Sequence, residues 1–214
     1  MPLPMVHLAI AVRLADSFPA AGEPDFLLGS LAPDAIHMRA GARPADKDAC
    51  HLRGVEGLPD LDRIRSLLAE GDRRSGPLAD FTAGYAAHLI ADRLWMVLVY
   101  SEFKRKLERL DPEAMRKLYY LETDQVDFDI YRRADWRPRV WEGLARVSAP
   151  EFSPLLGAGE IAAWRDHTLH WFDETMQEPG IVPQYLTDAL TEDFVGQAAG
   201  SVSEFFSTLR RVDP

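Results

Sequence analysis

The 214-residue chain has a single cysteine, Cys50, so no disulfide can form within it. Its stability must come from a packed core, and the count fits a reducing compartment or indifference to redox. Positive charge is also in short supply. Lys and Arg total 24 against 34 Asp and Glu, for a net charge of -10. Gripping a nucleic-acid backbone takes clustered basic residues, so that function is not expected. Long apolar runs are missing too. The dense stretch "LWMVLVY" at 94–100 continues into "SEFKRKLERL", well short of the ~18 apolar residues that a membrane span needs. The opening "MPLPMVHLAIAVRLADSF" has no basic residues before its apolar stretch, and no signal peptide is expected. A soluble, cytoplasmic protein is the expectation.

Sustained period-two alternation is absent as well, which argues against strands and for an all-α fold. The 47% hydrophobic content suits one compact domain over 1–214, and no linker or internal repeat divides the chain. Helical spacing runs through "MVHLAIAVRLADSF". A short helix "LLGSL" is predicted to end near Pro33, and residues 38–58 read as a polar loop. A helix is predicted over "PDLDRIRSLLAEG", with Gly71 as its stop. The longest pattern covers 76–110, and the next opens with Asp111 as N-cap and Pro112 in the first turn. Further helices are predicted at 137–147, 159–177 and 182–212.

The six histidines carry the functional signal. His88 and Asp92 lie four residues apart in "GYAAHLIADRLW", which stacks them one turn apart on a single helix face. Two readings compete there: a buried pair that satisfies itself, or two ligands of one ion. His7 sits in "MVHLAIA", where a satisfied core histidine is the plain alternative. Asp34 follows a proline in "GSLAPDAI" and could cap a helix or be a carboxylate fixed at a site. His51, in "KDACHL", could be a solvated loop histidine. Taken together, His7, His51, His88, Asp34 and Asp92, all within the first 92 residues, could hold two zinc ions with one aspartate bridging.

"VHLAIA", "FLLGSLAPDAIH", "KDACHL" and "GYAAHLIADRLW", in that order over about the first hundred residues, resemble the bacterial zinc-dependent phospholipase C family. That family is similar in fold to the secreted zinc phospholipases C and the fungal single-strand nucleases. The resemblance implies a helical fold with a zinc cluster in a cleft. It implies that His7, Asp34, His51, His88 and Asp92 ligate two close ions, with Asp92 bridging. The family's further histidine beyond the His-x-x-x-Asp has no counterpart in "MVLVY". For a third ion the chain offers Glu122, Asp124 and Asp127 in "YYLETDQVDFD", or His170 and Glu174. Carboxylate ligands would leave room for manganese, magnesium or iron. The N-terminal amine, a ligand in the secreted relatives, is set aside because no cleavage is expected.

Two cations a few ångströms apart activate water and offset charge on a phosphoryl group. The expected activity is therefore hydrolysis of phosphate esters, most simply diesters. The resemblance implies that Asp34 is a ligand that also orients the attacking water or accepts its proton, and that Asp92 is the bridge. A small phosphoester or a phospholipid-like compound is the expected substrate. The alternative is a non-catalytic helical scaffold that binds metal at a degenerate site.

Overall fold

The computed structural model describes residues 3–72 and 76–210. The fold is all-α and single-domain, and the described residues contain no strand longer than an isolated bridge. α1 (Pro4–Leu14) is followed by α2 (Pro24–Leu31), which tightens directly into a 3₁₀ segment, Ala32–Met38. α3 (Pro44–Cys50) and α4 (Leu61–Asp72) lead to α5 (Pro77–Leu94). A wider π turn over Trp95–Tyr100 joins α5 to α6 (Ser101–Lys106). α7 (Pro112–Arg133), α8 (Arg137–Arg146) and α9 (Ala158–His170) follow, and α10 (Asp188–Arg210) closes the chain.

The helix predicted from Asp111 and the one predicted over 137–147 form close to their expected bounds, and Asp111 caps α7 by accepting from Glu113 N and Ala114 N at 3.0 Å each. The helical pattern at 5–18 ends at Leu14, and the helix predicted over 159–177 is α-helical to His170 and widens into a π turn over Trp171–Thr175. Three further expectations need correction. The 38–58 stretch is not all loop: Pro44 starts α3, and the Asp46 carboxylate closes its first turn on Arg43 N at 2.8 Å. Proline fits there because the first helical amide has no partner to lose. Gly71 does not stop α4 but lies inside it, where a Cβ would meet Thr82 Cγ2 at 2.7 Å. The last helix begins at Asp188 rather than 182, because the amides of Gln184, Tyr185 and Leu186 bond to Glu122 instead of to a helical turn. Residues 211–212 of that prediction lie outside the described residues.

The core gathers Met5, Leu8 and Leu14 of α1, Phe26 and Leu28 of α2, Phe81 and Leu89 of α5, and Ala198 and Val202 of α10. Each large apolar side chain buried there contributes about 1.5–3 kcal/mol. The tightest crossing is that of α2 with α5. A Cβ on Gly29 would lie 2.1 Å from the Phe81 carbonyl oxygen, and one on Gly84 would lie 2.0 Å from that of Phe26. Only glycine lets two helix backbones approach so closely. α10 packs along α1, with Phe206 edge-on to Phe18 at 5.3 Å, and Phe194 edge-on to Trp95 at 4.8 Å. No described helix is long and apolar enough to cross a membrane.

Candidate metal centre

Four segments deliver five polar side chains to one place. α1 carries His7, the 3₁₀ segment carries Asp34, the end of α3 carries His51, and α5 carries His88 and Asp92. Each arrival has a local cause. The glycine crossing sets α2 against α5, so that His88 Nδ1 donates to the Ser30 carbonyl at 2.8 Å. The 3₁₀ turn that begins at Ala32 then carries the chain on to Asp34. His51 is held twice: its Nδ1 donates to the Lys47 carbonyl at 3.0 Å, and Tyr85 Oη donates to the carbonyl of the preceding residue, Cys50, at 2.5 Å. Leu52, with φ +46°, ends α3 immediately afterwards.

All five side chains are buried. His7 Nε2 lies 3.6 Å from Asp92 Oδ1, while His51 Nε2 and His88 Nε2 lie 3.7 and 3.6 Å from Asp92 Oδ2. His51 Nε2 is 3.3 Å from Asp34 Oδ1. The His7 and His88 rings stack with centroids 3.7 Å apart. None of these contacts makes a hydrogen bond. Seven buried polar atoms on these five residues are without a hydrogen-bond partner: both nitrogens of His7, Nε2 of His51 and His88, Oδ1 of Asp34, and both oxygens of Asp92. Buried polar groups cost on the order of 1–3 kcal/mol each when left unmade, so such a cluster is unexplained as core packing.

These side chains could hold a shared cation, which would account for the unmade bonds. Ligands ~2.1 Å from a tetrahedral zinc ion lie ~3.4 Å from one another, longer than a hydrogen bond. His7, His88 and Asp92 each offer a ligand atom within 4.8 Å of the others, and so do Asp34, His51 and His88. The nitrogen that would ligate is the free one on His51 and His88, because the other ring nitrogen is engaged by a carbonyl. Fixing the second nitrogen in this way is how metal-binding histidines are commonly oriented.

The electrostatics agree. Burial would raise the carboxyls of Asp34 and Asp92, but the surrounding histidines outweigh it and hold both below the ordinary aspartate range. Burial, with His88 close by, pushes His7 down to about 3. The cluster therefore presents ionised carboxylates and, at His7, a neutral imidazole, the forms that bind cations. At His88 burial lowers the imidazole but Asp92 outweighs it and raises it, so a cation there would displace a proton.

Glu122 and Asp124 do not join this group. Glu122 is buried, and its carboxylate accepts from Gln184 N, Tyr185 N and Leu186 N at 2.9, 3.0 and 2.8 Å. Asp124 is half-buried, and burial raises its carboxyl. Asp127, also buried, accepts from Met5 N at 3.3 Å and so serves the start of α1. His170 and Glu174 are exposed. Among the described residues, none of these stands in a group able to hold an ion. Residue 1, whose amine would be the family's further ligand, lies outside the described residues. Sequence reasoning missed Tyr85, a core residue whose hydroxyl positions His51 through the Cys50 carbonyl. It also missed the purpose of the two motif glycines. The spacing of Tyr85 one turn before His88 was the available signal. No protein-family model, no curated protein and no solved structure matches this chain.

Proposed function

We propose that the protein is a metal-dependent hydrolase of phosphate esters, similar to the bacterial zinc-dependent phospholipases C, with zinc held by His7, Asp34, His51, His88 and Asp92. The carrying observation is the set of seven unpartnered buried atoms that face one another on those five residues. The order and wording of the four motifs support the same reading, as does the all-α fold.

When bound, two such ions supply Lewis acidity and lower the pKa of water. The protein's own contribution is placement. Asp92 turns Oδ1 toward His7 and Oδ2 toward His51 and His88, the arrangement a bridging carboxylate needs. Ser30 and Lys47 fix the two imidazoles through their carbonyls, so little reorganisation remains at the moment of reaction. Asp34 borders a cavity of about 500 Å³. A carboxylate in that position can accept a proton from attacking water while the phosphoester sits in the cavity.

The test is elemental analysis of the purified protein, alongside hydrolysis of bis(4-nitrophenyl) phosphate by wild type and Asp92→Ala. Wild type should carry at least one transition-metal ion per chain and turn the ester over. Asp92→Ala should lose metal and activity together. Full metal occupancy in the variant would defeat the assignment, and bound metal without turnover in wild type would leave a binding scaffold.

A further inference from the structure

The cavity over Asp34 runs against the charge of the rest of the molecule. Lys47, Arg53 and Arg116 line it, and among the described residues the only carboxylate on its wall is that of Asp34 itself. The chain carries a net charge of -10, and two other cavities follow that sign. One of about 450 Å³ sets Asp60, Asp62 and Glu70 against Arg63. One of about 700 Å³ sets Asp25 and Glu151 against Arg146.

Two of the cations over Asp34, Lys47 and Arg116, are also poorly compensated. Arg53 Nη1 donates to Asp48 at 3.2 Å. Lys47 Nζ donates instead to the neutral His37 ring at 3.2 Å. Among the described residues neither Lys47 nor Arg116 makes an ion pair. Like charges gathered in one cleft repel and raise the local concentration of anions. A phosphodiester bound at the metal cluster brings one negative charge to the Asp34 end. The cations further out then face whatever else the substrate carries, and Tyr100, Tyr120 and Trp164 on the same walls offer ring faces to its organic part.

We propose that this cleft selects phosphoesters bearing a second anionic group, which Lys47 and Arg116 hold while the reacting phosphorus sits at Asp34. The inference rests on the phosphoesterase reading for its catalytic half, but not for its binding half.

A matched pair of esters tests it: phenyl 4-nitrophenyl phosphate and its 4-carboxyphenyl counterpart, which release the same nitrophenolate and differ by one carboxylate. Wild type should prefer the carboxylated ester in kcat/KM by about tenfold, the effect of one or two charge-assisted hydrogen bonds. That ratio should fall toward one in Lys47→Gln and Arg116→Gln. It should persist in Lys117→Gln, because Lys117 pairs with Glu113 at 2.8 Å and is not among the residues lining the cleft.

The anion could belong to a soluble compound or to a lipid headgroup. Co-sedimentation with phosphatidylcholine vesicles, with and without phosphatidic acid, separates the two. Sedimentation that needs phosphatidic acid and is lost in Arg116→Gln supports the cleft with a headgroup as its anion. Equal kcat/KM for the two esters, with no such sedimentation, overturns the inference. If neither ester is hydrolysed, the phosphoesterase reading fails by itself. Quenching of tryptophan fluorescence then decides the cleft: tighter binding of the carboxylated ester, weakened in both Gln variants, upholds it, and equal binding sinks it.

Discussion

α5 and α7 are the two long helices that bury acidic side chains, and they treat them in opposite ways. On α7 the buried polar groups are engaged, save one oxygen of Asp127, Oδ1, which has no partner. Glu122 accepts three backbone amides. Gln125 donates to Asp129 and Glu178 at 3.0 and 2.8 Å and accepts from Ile181 N at 3.1 Å. Asp127 takes the Met5 amide at the first turn of α1, where no side chain of the adjoining residue caps. On α5 the ligating atoms of His88 and Asp92 face other polar atoms and bond to none of them. Burial alone therefore does not mark a site in this protein. What marks it is several buried polar groups gathered together with their bonding capacity unused.

Four substitutions probe that contrast. The largest effect is expected at the crossing that places α5. In Gly84→Ala the new methyl group meets the Phe26 carbonyl at 2.0 Å, an overpacking that should cost at least ~3 kcal/mol in urea unfolding and lower metal content with it. Near-wild-type stability would mean that the crossing is soft and that His88 is not held by it. The next effect is at Glu122. Removing its carboxylate in Glu122→Ala orphans three amides and should cost about 2–3 kcal/mol, with metal content unchanged. By contrast Asp92→Ala, compared with wild type in excess chelator, should stay within ~1 kcal/mol, because neither of its carboxylate oxygens accepts a hydrogen bond that would be lost. The reverse ordering would erase the distinction between the two helices. The smallest effect is at Tyr85→Phe. Loss of the bond to the Cys50 carbonyl should cost about 1 kcal/mol. Metal affinity, read by competition with a chromophoric chelator, should fall about tenfold because His51 loses its backbone anchor.

Much of this arrangement is legible in the sequence. The His-x-x-x-Asp spacing places two donors on one face, and proline with a preceding aspartate marks the start of α7. Helical periodicity dominates, so the all-α class follows. The unreadable parts depend on distant partners. α3 is short and polar, with no periodic face to show, and its first turn is closed by one side chain. Glu122 looks like one more carboxylate of an acidic face until the 184–186 backbone folds over it, some 60 residues later in the chain. Gly71 looks like a stop because the Thr82 methyl that needs its space belongs to another helix. Convergence of His7, Asp34 and His51 on α5 is likewise a tertiary event that spacing cannot encode.

The paired glycines of α2 and α5 have one more consequence. Their contact is backbone against backbone, so the angle between the segment leading to Asp34 and the helix bearing His88 and Asp92 does not depend on the shape of any side chain at the crossing. Apolar residues elsewhere in the interior can be exchanged for others of similar volume, as cores generally tolerate, without tilting the donor groups. Chemistry and packing are thereby insulated from each other, and the interior can drift in composition while the donor geometry stays fixed.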